Sequence, residues 1–190
     1  MNAENGKLFV ISGSSGVGKG TLLKELLAKN PALKLSISVT TRNPRPNEVD
    51  GVNYFFVTRE EFETSVKNGE FLEWAEFNGN YYGTKETYVK KTLAKGENLI
   101  LEIETKGALQ IKQKLPNAIL IFILPPSLEE LEQRLRGRNT EDEDTIQGRL
   151  HEAFREIECS NQYNYRVVND DLNRALSELE TIINQSITIE

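Results

Sequence analysis

The chain has 190 residues, 38% of them hydrophobic, which suffices for one domain with a real core or one core carrying inserted subdomains. Its net charge of −6 argues against nucleic acid as the main partner, because binding a phosphate backbone takes a basic face. The single cysteine, Cys159, allows no intrachain disulfide, and no apolar run reaches membrane-spanning length or forms a secretory leader, so a cytoplasmic setting without a membrane partner is expected.

Residues 8–11, Leu-Phe-Val-Ile, read as a buried strand. Leu22, Leu23, Leu26 and Leu27 form the apolar stripe of a helix that stops before Pro31. Between them stand Gly13, Ser14, Ser15, Gly16, Val17, Gly18, Lys19, Gly20 and Thr21, the glycine-rich turn of a nucleotide-binding P-loop. Glycines let successive backbone N–H groups point inward at phosphate oxygens, and the helix adds its unpaired N–H groups and positive dipole end. Lys19 brings a mobile charge to the β- and γ-phosphates. The strict motif has Ser or Thr after the lysine to hold Mg²⁺. Here Gly20 precedes Thr21, so either Thr21 binds phosphate or Mg²⁺ is held mostly by water and phosphate oxygens.

Residues 35–38 alternate and read as a short strand. A stiff polar loop follows, with Arg42 and Arg45 set among Pro44 and Pro46. Residues 53–57 read as a strand, and Thr58 with Glu61 forms a capping box for a helix over Arg59–Lys67. Phe71–Phe77 alternates as a strand, Asn78 and Gly79 mark a hairpin turn, and residues 80–84 return. The span from about residue 40 to 84 thus reads as a small antiparallel unit interrupting a βαβ pattern.

The continuous apolar runs 98–101 and 118–124 suit strands buried on both faces. Ser127 and Glu130 cap a helix carrying Leu128, Leu131 and Leu135, whose end is rich in arginine. Thr140 with Glu143 caps another, bearing Ile146, Leu150, Ala153, Phe154 and Ile157. Residues 166–168 form a last strand, and Asp171 opens the final helix. The order predicts an α/β fold: a P-loop parallel sheet flanked by helices, with an inserted α+β subdomain and an Arg-rich lid.

Three constellations carry chemistry beyond the P-loop. Arg42, Arg45, Tyr54 and the tandem Tyr81 and Tyr82 suit a second phosphate, since arginine forks match phosphate oxygens and phenols add neutral donors. Singly, each arginine is an ordinary exposed loop charge, and one tyrosine of the pair can simply pack. Glu73, with Ser38, Thr84, Glu102 and Glu104, is a candidate guanine reader, because a carboxylate accepts two parallel N–H donors that adenine lacks. On alternation alone, however, Glu73 falls on the solvent face of its strand. Arg134, Arg138 and Arg149 suit a phosphoryl group in flight, whose charge spreads over its oxygens. Arg136 reads as a helix-end cation, His151 as an exposed helix residue and Trp74 as packing.

Taken together, Gly13 to Thr21, the run Ser-Val-Thr-Thr-Arg-Asn-Pro-Arg at 38–45, residues 51–56, Glu-Trp-Ala at 73–75, Gly-Asn-Tyr-Tyr-Gly-Thr at 79–84, Leu-Glu-Ile at 101–103, residues 121–126, Arg-Leu-Arg-Gly-Arg at 134–138, Arg149 and residues 167–170 resemble the guanylate kinase family over nearly the whole chain. The resemblance implies transfer of the γ-phosphoryl group of ATP to GMP, giving ADP and GDP, with Mg²⁺, in purine nucleotide metabolism. It implies a core of residues 1–37, 85–137 and 149–190, a GMP-binding insert of 38–84 and a lid of 138–148. By position, Lys19 and the backbone of 13–21 hold the ATP phosphates, and Asn169 contacts the donor nucleotide. Arg42, Arg45, Tyr54 and Tyr82 hold the GMP phosphate, while Ser38, Glu73, Thr84 and Glu104 belong to the base side. Arg134, Arg138 and Arg149 join Lys19 and Arg42 in transfer and lid closure. The chain departs from the family's Asp-x-Gln-Gly with Glu104, Thr105, Lys106 and Gly107, and has Asn139 where Gly is usual. Two other readings share these residues: a P-loop kinase for a different phosphorylated acceptor, and a related module that binds phosphorylated protein segments. The intact loop at 13–21 speaks against the module.

Overall fold

A computed structural model describes residues 5–137 and 142–188. Five strands, β1 (Leu8–Gly13), β2 (Leu33–Leu35), β7 (Asn98–Glu102), β8 (Ile119–Leu124) and β9 (Tyr165–Val168), pair in parallel in the order β2-β7-β1-β8-β9. The apolar runs are continuous because helices cover both faces. Phe9 and Ile11 face one core with Leu22 and Leu26 of α1 (Lys19–Lys29) and Leu179 of α7 (Leu172–Thr188). Leu8 and Val10 face the other, with Val89 of α3 (Glu86–Leu93) and Ala108 and Ile111 of α4 (Thr105–Lys114). Phe9, Ile11, Leu22 and Leu26 are each fully buried, and each such side chain contributes about 1.5–3 kcal/mol.

A second sheet holds β3 (Val39–Thr40), β4 (Phe55–Phe56), β5 (Phe71–Phe77) and β6 (Asn80–Lys85), in the order β4-β3-β6-β5. The capping box of Thr58 and Glu61 opens α2 (Arg59–Lys67), whose buried Phe62 stacks on Phe71 at 4.4 Å and on Tyr81 at 5.3 Å between ring centroids. The unit is not wholly antiparallel as expected, since β3 and β4 pair in parallel. The expected strand 35–38 also divides. Leu35 ends β2 in the first sheet, Val39 begins β3 in the second, and the residues between carry the chain across. Ser36 N–H still bonds Ile100 O at 2.8 Å, while Ser38 O already accepts from Phe55 N–H at 2.9 Å. Alternation persists through the crossing, so pattern alone cannot see the change of partner. The expected strand 53–57 shortens to Phe55–Phe56 because Val52 and Asn53 N–H turn back onto Val49 O.

Helix α5 (Leu128–Arg136) is capped by Ser127, which accepts from Glu130 N–H. Helix α6 (Glu143–Cys159) is capped by Asp142, which accepts from Thr145 N–H at 2.8 Å. The expected cap Thr140, with Arg138, Asn139 and Glu141, lies outside the described residues. Asp171 caps α7 through Arg174 N–H. Among the described residues, no helix is long and apolar enough to cross a membrane.

Candidate active site

The loop from β1 to α1 leaves the carboxyl end of the central strand, where open α/β sheets bind ligands. Gly16 and Gly18 have φ of 85° and 93°, a region closed to most side chains. A Cβ on Gly18 would also lie 2.6 Å from Asn169 Nδ2. Lys19 Nζ folds back to donate to Gly13 O at 3.1 Å. Ser14 is buried and its Oγ has no hydrogen-bond partner, a polar atom waiting for an acceptor or donor inside the loop.

Two side chains brace this loop from behind. Asn169 Nδ2 donates to Val17 O at 2.7 Å, and Arg134 Nη1 reaches the same oxygen at 3.4 Å. Arg134 Nη2 donates to Asn169 O, and its Nε to Glu130. With Gly16, Gly18, Thr21 and Leu172 they line a cleft of about 340 Å³ beside the loop. The loop itself, with Thr21 and Glu102, lines a second space of about 270 Å³. Glu102 ends β7 opposite Ile11 of β1, so the sheet register sets its carboxylate next to the loop.

Glu102 also lines a pocket of about 270 Å³ with Ser38, Tyr54, Glu73, Tyr82 and Glu104. Glu73 is only 5% exposed. The sequence reading places it in solvent, but Glu73 shares one face of β5 with Ala75 and Phe77, and all three line this pocket; the pairing shifts between Phe71 and Glu73, and Phe71 packs instead against Phe62. Glu73 Oε1 accepts from Thr84 Oγ1 at 2.6 Å. Burial pushes its pKa up to about 6, with the negative charge of Glu104 adding and the Thr84 hydrogen bond opposing. Thr84 is fully buried, so it steadies Glu73 from behind instead of reaching into the pocket.

Arg42 lies over the Tyr54 ring, 5.4 Å from its centroid, and Tyr54 meets Tyr82 edge-on at 6.1 Å. Arg42 Nη2 donates to Glu48 Oε1 at 2.9 Å, and Arg45 N–H donates to Glu48 Oε2 at 2.7 Å. Glu48 therefore ties the arginine loop together, a residue that sequence reasoning missed; an acid three residues after the second arginine was the available signal. The Arg42 guanidinium, then the Arg45 N–H, holds the Glu48 pKa below the usual carboxylate range. Arg45 itself is exposed. Of the tandem tyrosines Tyr82 lines the pocket, whereas Tyr81 packs on Phe62 and accepts from Arg59.

Arg149 stands within α6. Arg136, expected as a helix-end cation, bonds Glu132 on its own helix and Glu143 of α6. His151 is exposed, and it lines a cleft of about 370 Å³ with Glu104, Lys106 and Glu156. Glu104 therefore stands between that cleft and the pocket of Glu73.

A glycine-rich P-loop that meets, at Glu102, a pocket with a buried carboxylate is the arrangement of a P-loop phosphotransferase. The family model for guanylate kinase matches residues 5–186. The chain is 50% identical over 183 residues to the guanylate kinase of Desulfitobacterium hafniense, covering 96% of this chain and 92% of that one. It is 52% identical over 180 residues to that of Synechocystis, covering 95% and 94%. A crystal structure of guanylate kinase from Anaplasma phagocytophilum matches with a TM-score of 0.77 at 32% identity, covering 100% of this chain and 90% of that one. The chain belongs to the guanylate kinase family.

Proposed function

We propose that this chain carries out the family's reaction, ATP plus GMP giving ADP plus GDP, with the ATP phosphates in the loop of residues 13–21 and GMP in the pocket around Glu73. The observation that carries this reading is the buried Glu73 carboxylate, held by Thr84 and facing a pocket that meets the P-loop at Glu102. Ionised, it accepts from two neighbouring N–H groups of guanine, and adenine leaves it unpaired. Ser38 and Glu104 complete the base side. Arg42 and Arg45, with the hydroxyls of Tyr54 and Tyr82, take the GMP phosphate, which displaces part of Arg42's hold on Glu48.

An oxygen of the GMP phosphate attacks the γ-phosphorus in line. The new O–P bond forms as the bond from phosphorus to the β,γ-bridging oxygen breaks, and ADP leaves. The attacking oxygen is already ionised, so no protein base is required. Lys19, Arg42, Arg138 and Arg149 neutralise charge on the moving group, and Arg134 with Asn169 keeps the loop in shape. Residues 38–84 act as the acceptor-binding unit and 138–148 as a lid. Their closure excludes water and suppresses ATP hydrolysis.

The loop offers Mg²⁺ few ligands of its own: the Glu102 carboxylate and the hydroxyls of Ser14, Ser15 and Thr21. That sparse set suits an ion that keeps several waters and takes its other oxygens from phosphates. Bound with ATP, Mg²⁺ supplies charge neutralisation at the β- and γ-phosphates. The setting we propose is the cytoplasm, with ATP and GMP as partners and neither nucleic acid nor membrane.

The test is a coupled assay of ADP formation with ATP and Mg²⁺, comparing GMP, AMP, UMP and CMP. Turnover with GMP alone is expected. Folded protein inactive with every acceptor would instead favour the phosphopeptide-binding module. Arg45→Ala is expected to raise the KM for GMP about tenfold with an unchanged circular dichroism spectrum, because it removes one charge-assisted phosphate contact. An unaltered GMP KM would take Arg45 out of the phosphate site.

A further inference from the structure

Strand β5 is the outer strand of the second sheet, and α4 of the first unit lies against it. Lys114 Nζ donates to Phe71 O at 2.7 Å. Gln110 accepts from Trp74 N–H and donates to Trp74 O, both at 3.4 Å. These side chains satisfy backbone groups that an edge strand otherwise leaves to a partner or to water. Gly107, Gln110 and Lys114 are spaced by three and four residues and so share one face of α4.

Glu73 lies between these anchors on β5, against the third, Gly107. A Cβ built on Gly107 would lie 2.8 Å from Glu73 Oε2 and 3.3 Å from its Cδ. The carboxylate has little freedom to step aside, since its other oxygen is held by buried Thr84. Gly107 is buried and lies within a regular helix, outside the left-handed region, so its backbone does not require glycine. Glycine is also a poor residue for a helix interior. What the position requires is space for the carboxylate.

We propose that Gly107 is a specificity-determining positioning residue, whose missing side chain lets the Glu73 carboxylate stand against the first turn of α4 at the place where it reads guanine. This rests on Glu73 being the guanine reader, as proposed above. A methyl group at 107 pushes the carboxylate off Thr84 and out of register with the base. Small displacements of a reading group are costly because its hydrogen bonds are directional.

The experiment is a double-mutant cycle on the full chain, with Gly107→Ala made in the wild-type and Glu73→Asp backgrounds and Glu73→Gln made alone. KM values for GMP and ATP, kcat and thermal stability are read. IMP, which lacks the 2-amino group, serves as a second acceptor. Gly107→Ala is expected to raise the KM for GMP roughly ten- to hundredfold and to narrow the preference for GMP over IMP. The KM for ATP should stay within about twofold, and any fall in Tm should be small, since alanine's helix preference offsets part of the lost Thr84 hydrogen bond. In the Glu73→Asp background the carboxylate is one methylene further from residue 107. The same substitution should then change the GMP KM by less than about twofold. An equal cost in both backgrounds would mean a general disturbance of α4 and would overturn the proposal. So would a Gly107→Ala enzyme with wild-type GMP kinetics when Glu73→Gln is impaired. A Glu73→Gln enzyme with wild-type GMP kinetics would instead remove the guanine-reading role of Glu73 itself, and the proposal with it.

Discussion

Glu73→Gln is expected to give a folded protein, more stable at neutral pH than the wild type, with kcat/KM for GMP lowered about 10³-fold. The amide keeps the size of the side chain and an oxygen for the Thr84 hydroxyl. It offers the base one acceptor and one donor where guanine presents two donors, so a buried donor is left facing another. The stability gain comes from the same burial. Glu73 is 5% exposed and its pKa rises from 4.5 to about 6, worth about 2 kcal/mol. An acid raised in the folded state binds its proton more tightly there. Its favourable contribution is complete below about pH 4.5 and is lost as pH rises through about 6. Denaturant unfolding of the wild type should therefore weaken across that window relative to Glu73→Gln. GMP recognition runs the other way, since only the carboxylate accepts both donors, so wild-type kcat/KM for GMP should fall as pH drops below about 6. Parallel pH profiles for the two proteins would contradict the assignment.

Lys19→Met is the other large effect expected, lowering kcat about 10³-fold with the fold intact. Methionine retains most of the apolar stem, and the bond lost within the protein is that from Nζ to Gly13 O. What disappears is the one cation of the loop that can follow charge from the γ-phosphate toward the β,γ-bridging oxygen. Steady-state kinetics with saturating GMP, alongside thermal unfolding, measure both parts. A kcat within about threefold of wild type would remove Lys19 from the transfer step.

The P-loop was legible in the sequence because everything it needs is contiguous. An apolar strand, glycines at two left-handed positions, a lysine and a leucine-striped helix follow one another within β1 and α1. The caps at Thr58, Ser127 and Asp171 were legible for the same reason, since a side chain bonding a backbone N–H two or three residues away is a local event. So were the three central strands β1, β7 and β8, whose unbroken apolar runs report burial on both faces.

Local pattern could not decide the pocket around Glu73. The sequence reading left Glu73 to solvent, and α4, whose Gly107 stands against the carboxylate, covers its face of β5 and buries it. Thr84 carries the hydroxyl of a base reader and stands behind the carboxylate, because its strand neighbour is Glu73. The run at 35–38 alternates like one strand yet feeds two sheets, a matter of which chain offers the next hydrogen bond. Asn169 bonds Val17 O in the P-loop, 152 residues away in sequence. The sequence by itself determined the phosphate loop, the α/β order and the residue types of a guanine-phosphate site. Only the tertiary structure decided which carboxylate is buried, which tyrosine faces the pocket and what braces the loop. Those outcomes depend on contacts between distant segments, where burial and partner geometry outweigh any local preference.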